Sequence, residues 1–169
     1  MDYILRSIRR AKWEPAEHTA GIRADALGCI RTRGDILSVW RCSSEESDIR
    51  EAALAYASAM ERPSTFDIVI LNLKKLVSKG LEYKETPGKT PIADLKDIHL
   101  DIVRLDVEKI TYLAECIAEV VRNENDHCIR FRRKEVIEMI VHAISCGKVQ
   151  LEELESDMRK EVEKELNKS

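Results

Sequence analysis

Aromatic residues and glycines are scarce in this chain of 169 residues: aromatics make up 5% and there are six glycines. β-Strands draw heavily on aromatic and β-branched side chains, whereas the abundant Leu, Ala, Glu and Lys favour helices. The composition therefore predicts a mainly α fold of the α+β type with few strands. At 44% apolar residues the chain is long enough to form one hydrophobic core, so we expect a single domain over 1–169.

Long apolar runs and paired cysteines are also missing. No stretch approaches the roughly 18 apolar residues that a membrane-spanning helix needs, and the first residues lack the apolar segment of a signal peptide. The five cysteines are odd in number, widely spaced and without a CxxC motif. We therefore expect a cytoplasmic protein with reduced thiols, no membrane partner, no bound metal and no other cofactor.

Residues 27–42 predict a small β-hairpin near the amino end. The segments 27–31 and 36–42 flank the turn sequence TRGD, and the second segment is rich in β-branched and aromatic residues. A short helix that runs into Cys29 is an alternative for the first segment, and it would leave one strand.

Most of the remaining chain has apolar residues at helical spacing, which predicts helices over about 44–61, 66–77, 92–123 and 131–147. Two parts of these segments also fit strands. Residues 66–71 form a continuous apolar run apart from Asp67, and residues 98–103 lie in a stretch where polar and apolar residues alternate. Both alternatives stay open from the sequence.

Residues 82–91 contain two prolines and a glycine and predict an exposed loop. Within it, Gly88, Lys89 and Thr90 match the end of a phosphate-binding loop. That motif requires a glycine five residues before Gly88, where Tyr83 stands, so the sequence does not predict a nucleotide-binding loop.

The carboxy-terminal residues 149–167 predict a long, charged helix with one apolar stripe, formed by Leu151, Leu154, Met158, Val162 and Leu166. A helix of this length is marginal without packing, so the stripe must cover something. We expect it to be an interaction element that contacts a protein partner or a second copy of the chain.

Basic residues concentrate in the first 42 residues, which hold eight Lys and Arg against five Asp and Glu, although the whole chain carries a net charge of −3. Arginine recognises phosphate through paired hydrogen bonds, and an indole can stack on a base. This segment therefore predicts an anion-binding or nucleic-acid-binding surface, with candidate residues Arg9, Arg10, Arg31, Arg33, Trp40 and Arg41.

Asp97, His99 and Asp101 form the densest cluster of acid–base and metal-ligating residues. They share one face if 98–103 is a strand, and they then suggest a small metal-dependent hydrolase or nuclease. His142 and Cys146 lie one helical turn apart, but a zinc site needs two more ligands.

The sequence contains no nucleophile elbow or other local catalytic motif, which favours a binding protein over an enzyme. Our leading hypothesis is a domain that binds a protein partner or self-associates. The alternatives are phosphate or nucleic-acid binding through the arginine-rich end, and metal-dependent hydrolysis at the Asp97 cluster.

Overall fold

A six-stranded antiparallel sheet lies at the centre of the molecule, in the order β4-β5-β2-β1-β3-β6. The structure is a computed structural model that describes residues 2–15, 21–30, 34–123 and 127–168. The strands are β1 (Tyr3–Ile8), β2 (Leu37–Cys42), β3 (Phe66–Asn72), β4 (Glu82–Glu85), β5 (His99–Val103) and β6 (Cys128–Phe131).

Helices cover both faces of this sheet. They are α1 (Glu46–Ser58), α2 (Leu73–Ser78), α3 (Val107–Asn123), α4 (Arg133–Ser145) and α5 (Ser156–Leu166), with short 3₁₀ helices at Arg10–Lys12, Ala24–Ile30, Ala93–Ile98 and Leu151–Glu153. Within the described ranges no helix is both long and apolar enough to cross a bilayer.

Two hydrophobic cores lie on opposite faces of the sheet, because successive side chains of a strand point to opposite sides. In the central strand β1, Ile4 and Ile8 belong to the first core and Leu5 to the second. The first core is completed by α3, α2 and the 3₁₀ helix Ala24–Ile30, and the second by α1, α4 and α5. The fold is therefore three layers, with the sheet in the middle.

The prediction of a mainly helical domain with a small hairpin near 27–42 is wrong. Residues Ala24–Ile30 form a 3₁₀ helix, and β2 pairs with β1 on one side and β5 on the other. Both partners lie far from β2 in sequence, so local patterns around residues 27–42 do not reveal them. The scarcity of aromatics misled the estimate, because five of the eight aromatic residues lie in the strands and most of the other apolar strand residues are Ile, Leu and Val.

The segments 66–71 and 98–103 are strands. Every side chain from Phe66 to Leu71 is buried, since β3 has a core on each face and shows no alternation. Helix α2 begins only at Leu73, where the side chain of Asn72 accepts a hydrogen bond from the N–H of Lys75. Of the helix predicted over 92–123, only Val107–Asn123 is α-helical.

The predicted long helix over 149–167 is shorter than expected, since α5 starts at Ser156. Leu154, Met158 and Val162 are buried in the second core, and Leu151 and Leu166 pack at its edge. The stripe thus covers the chain's own sheet layer. The predicted exposed loop 82–91 begins with the edge strand β4, whose side chains are all exposed.

Candidate functional site

A cleft opens where β1 and β2 separate. Their pairing ends at Leu5 and Trp40, although β1 continues along β3 to Ile8. The cleft has a volume of about 360 Å³ and lies between the sheet and the carboxy-terminal end of α1. The polar residues that line it are Arg6, Ser7, Ser38, Tyr56, Thr86, Lys89, His99 and Asp101.

Arg6 lies at the gap between the two strands. It follows Ile4 by two positions and precedes Ile8 by two, so it leaves β1 on the side of the first core, and it is partly buried. The cleft lies towards α1, and Arg6 lines it at the gap between the two strands. Its Nη1 donates to the carbonyl oxygen of Ser38 (2.9 Å) and its Nη2 to that of Cys29 (3.0 Å). The Nε atom is buried without a hydrogen-bond partner.

The Arg6 guanidinium has no ion-pair partner among the described residues. Desolvation by burial lowers its pKa from the ordinary value, but an arginine stays charged at any physiological pH. A buried charge is costly unless an opposite charge compensates it. The carbonyl dipoles of Ser38 and Cys29 compensate it only in part.

Lys89 reaches the same cleft from a loop that is fixed on both sides of it. The N–H of Gly88 donates to the carbonyl oxygen of Lys96 (2.9 Å), and its Cα faces the ring of Trp40. On the other side, the buried Thr90 hydroxyl lies 2.9 Å from that of Ser58. The exposed Lys89 side chain forms no ion pair within the part of the chain that the structure describes.

A polar network connects this loop to β2 and β5. The hydroxyls of Ser38 and Thr86 each donate to one oxygen of Asp101, at 2.9 Å. The Nδ1 atom of His99 lies 2.9 Å from the Thr86 hydroxyl and 3.1 Å from the Thr86 carbonyl oxygen. Because a carbonyl only accepts, Nδ1 carries the hydrogen. The network holds the loop on the sheet and occupies both carboxylate oxygens.

The predicted cluster of Asp97, His99 and Asp101 is only partly assembled. His99 and Asp101 share one face of β5, but Asp97 is exposed in the preceding 3₁₀ helix. Over the described ranges no group of three or more His, Cys, Asp or Glu side chains is arranged to hold a metal ion. His142 and Cys146 are neighbours at the surface, with Sγ 3.6 Å from Nε2.

The candidate anion-binding residues divide between several places. Arg9 and Arg10 line a second cleft of about 510 Å³ that shares Ser7 and Tyr56 with the first. Arg41 points to the opposite face of the sheet, where its Nη2 lies 3.0 Å from Glu85. Trp40 is 8% exposed and lies beneath Gly88, so its indole is not free to stack. Arg31 and Arg33 lie outside the described residues.

Sequence reasoning did not bring Arg6, Tyr56 and Lys89 together in one site. The available signal was the arginine inside the apolar segment YILRSI, at a position that strand alternation assigns to a core. The sequence analysis did not predict a strand over residues 3–8, so the alternation that assigns Arg6 to a core-facing side could not be applied.

A further cleft of about 510 Å³ lies between α1 and α4. Its cations are paired with carboxylates: Arg50 with Glu46 (2.9 Å) and Lys148 with Glu51 (2.9 Å). Among the described residues, the arginine and the lysine of this cleft are therefore compensated by carboxylates, unlike Arg6 and Lys89 in the first cleft.

Comparison with protein-family models, with curated proteins and with solved structures finds no match for this chain. The geometry of the clefts is accordingly the basis for a functional proposal.

Proposed function

We propose that the protein binds a phosphate-bearing ligand in the cleft between β1, β2 and α1. The observation that carries this proposal is the partly buried Arg6 guanidinium, which has no carboxylate partner among the residues described. An anionic ligand supplies the missing countercharge. A guanidinium has five N–H groups, of which two donate to carbonyls here, so donors remain for the ligand.

Phosphate fits this cleft better than a single carboxylate group does. Lys89 lines the cleft together with Arg6, and two cations match the higher charge and the additional oxygens of a phosphate. Asp101, the one acidic residue among the described residues of the lining, accepts hydrogen bonds from two hydroxyls. These bonds disperse its negative charge away from the ligand.

The other hypotheses have less support. Binding of a protein partner or of a second copy through the carboxy-terminal stripe would require apolar surface there, but Leu154, Met158 and Val162 are buried. Metal-dependent hydrolysis at Asp97, His99 and Asp101 would require the three side chains to converge, and Asp97 is not on the strand that carries the other two.

The test is calorimetric titration of the protein with inorganic phosphate and pyrophosphate at low ionic strength. We expect Lys89→Ala to weaken binding by roughly fivefold, because an exposed charge contributes about 1 kcal/mol or less. Arg6→Lys keeps the charge but loses the planar donor pair, so we expect a larger loss.

The matched control is Lys79→Ala, which removes an exposed lysine next to α2, on the opposite face of the sheet. It should bind phosphate and pyrophosphate as the unmodified chain does. Absence of binding by the unmodified chain, or equal affinities for the Lys89 and Lys79 variants, would reject the proposal.

A further inference from the structure

We infer that the phosphate-bearing ligand is a single-stranded nucleic acid that lies along both clefts. This inference rests on the proposed phosphate site and adds the class of ligand. Its basis is the way in which the second cleft continues the first.

The two clefts adjoin at the end of the sheet and are together called the groove. Ser7 and Tyr56 line both of them, and their volumes are about 360 and 510 Å³. Each volume is within the range of a small-ligand pocket. The groove therefore accommodates a chain of two or more nucleotide-sized units better than one compact ligand.

Cationic side chains continue along the groove. Arg9, Arg10 and Arg130 line the second cleft, as Arg6 and Lys89 line the first. Arg10 pairs with Glu14 (3.2 Å) and Arg130 with Asp67 (2.7 Å). Arg9 makes no ion pair within the described ranges, and its backbone is extended. Arg6 and Arg9 thus both lack a carboxylate partner among the described residues, and successive charges of this kind suit the repeating charges of a phosphate backbone.

In the second cleft, hydrogen bonds to Asp67 hold Arg130 and the backbone of Arg10 in place. Both oxygens of Asp67 accept from Arg130, Oδ1 from Nε (2.7 Å) and Oδ2 from Nη2 (3.2 Å). Oδ2 also accepts from the backbone N–H of Arg10 (3.2 Å), and the Asp67 side chain is only 10% exposed. Asp67 thus fixes Arg130 and the end of β1 relative to each other.

Tyr56 lies between the two groups of cations and is partly exposed. Its ring is held edge-on against Phe66, with ring centroids 5.1 Å apart. A fixed aromatic ring between cationic sites is the arrangement by which proteins bind single strands, since bases stack on the ring while phosphates contact the cations. In a duplex the bases are stacked on one another, so a single strand is the better match.

The experiment measures fluorescence anisotropy of labelled oligothymidylates of two, four and eight nucleotides, with a duplex of equal length alongside. We expect affinity to rise with length, to exceed that for inorganic phosphate, and to fall as salt is raised. Arg9→Ala should weaken binding of the longer oligonucleotides by about fivefold. Tyr56→Leu should weaken it by fivefold or more, since stacking contributes about 1–3 kcal/mol per base.

Tyr83→Leu and Lys79→Ala are the matched controls, because both side chains are exposed and lie outside the groove. Far-ultraviolet circular dichroism establishes that each variant is folded, and Tyr56→Phe should retain affinity because it keeps the ring. Phosphate binding with no gain for oligonucleotides, equal affinity for the duplex, or equal losses in the Tyr56 and Tyr83 variants would overturn the inference and leave the phosphate site standing. Absence of binding to phosphate and oligonucleotides alike would remove both.

Discussion

Gly88 is the residue on which the position of Lys89 depends. Its Cα approaches the Trp40 ring so closely that an added Cβ would lie 2.4 Å from Cη2 and 2.6 Å from Cζ3. The Trp40 ring is itself in edge contact with His99, with centroids 4.9 Å apart. Both rings are buried, each 8% exposed.

We expect Gly88→Ala to lower the free energy of unfolding by about 1–3 kcal/mol, the usual cost of adding a methyl group to a filled space. The same change should weaken phosphate binding, because it displaces the loop that carries Lys89. Chemical denaturation and calorimetric titration measure the two effects.

Gly28→Ala is the matched control, since a Cβ at residue 28 meets no atom within 4 Å. It should change stability far less. Equal stabilities of the two alanine variants would show that residues 86–90 are not held against Trp40 as described.

Helix α5 belongs to the second core, although its sequence is the most polar of the five α-helices in the described ranges. Met158 and Val162 are fully buried, and the N–H of Met158 donates to the carbonyl oxygen of Glu61 (2.9 Å), beyond the end of α1. The helix is therefore joined to the rest of the fold by apolar and by backbone contacts.

We predict that Met158→Ala lowers the free energy of unfolding by about 2–5 kcal/mol, because it leaves a cavity in this core. Lys160→Ala, at an exposed position of the same helix, should cost well under 1 kcal/mol. Urea denaturation followed by circular dichroism measures both. A Met158 variant as stable as the Lys160 variant would mean that α5 does not cover the core.

The sequence predicted helices correctly where one face of the helix is buried. It did not identify strands that are buried on both faces. Helices α1 and α4 agree with the helices predicted over 44–61 and 131–147, because each has an apolar stripe and a polar face. Strand β3 has no polar face, so its apolar residues fit a helix as well as a strand.

The candidate site was predictable only within one segment. Arg9 and Arg10 were found because they cluster near the amino end, and both line the groove. Arg6, Tyr56 and Lys89 come from three separate segments, and only the order of strands in the sheet brings them together. No local pattern contains that order.

The molecule as a whole has two cores that share one sheet, and each core contains one tryptophan. Trp13 is buried in the first core and Trp40 in the second. The three adjacent strands β2, β1 and β3 each contribute side chains to both cores. Loss of packing in one core therefore disrupts the sheet on which the other core also packs.

We therefore expect a single cooperative unfolding transition. In Trp13→Phe, fluorescence reports the second core, and in Trp40→Phe it reports the first. Within each variant the fluorescence midpoint in urea should coincide with the midpoint from circular dichroism. Separate midpoints in either variant would mean that the cores unfold independently.

The central place of β1 has a consequence for synthesis on the ribosome. Both neighbours of β1 in the sheet follow it in the chain, and β3 ends at Asn72, 64 residues after Ile8. At the usual 5–20 residues per second, β1 waits about 3–13 s for that partner. Until β3 has been made, at least one edge of YILRSI lacks its partner, and unpaired apolar segments of this kind aggregate from nascent chains. Arg6 interrupts this segment with a charge, which lowers its tendency to aggregate. The residue that lines the cleft in the folded protein therefore also protects the nascent chain from aggregation.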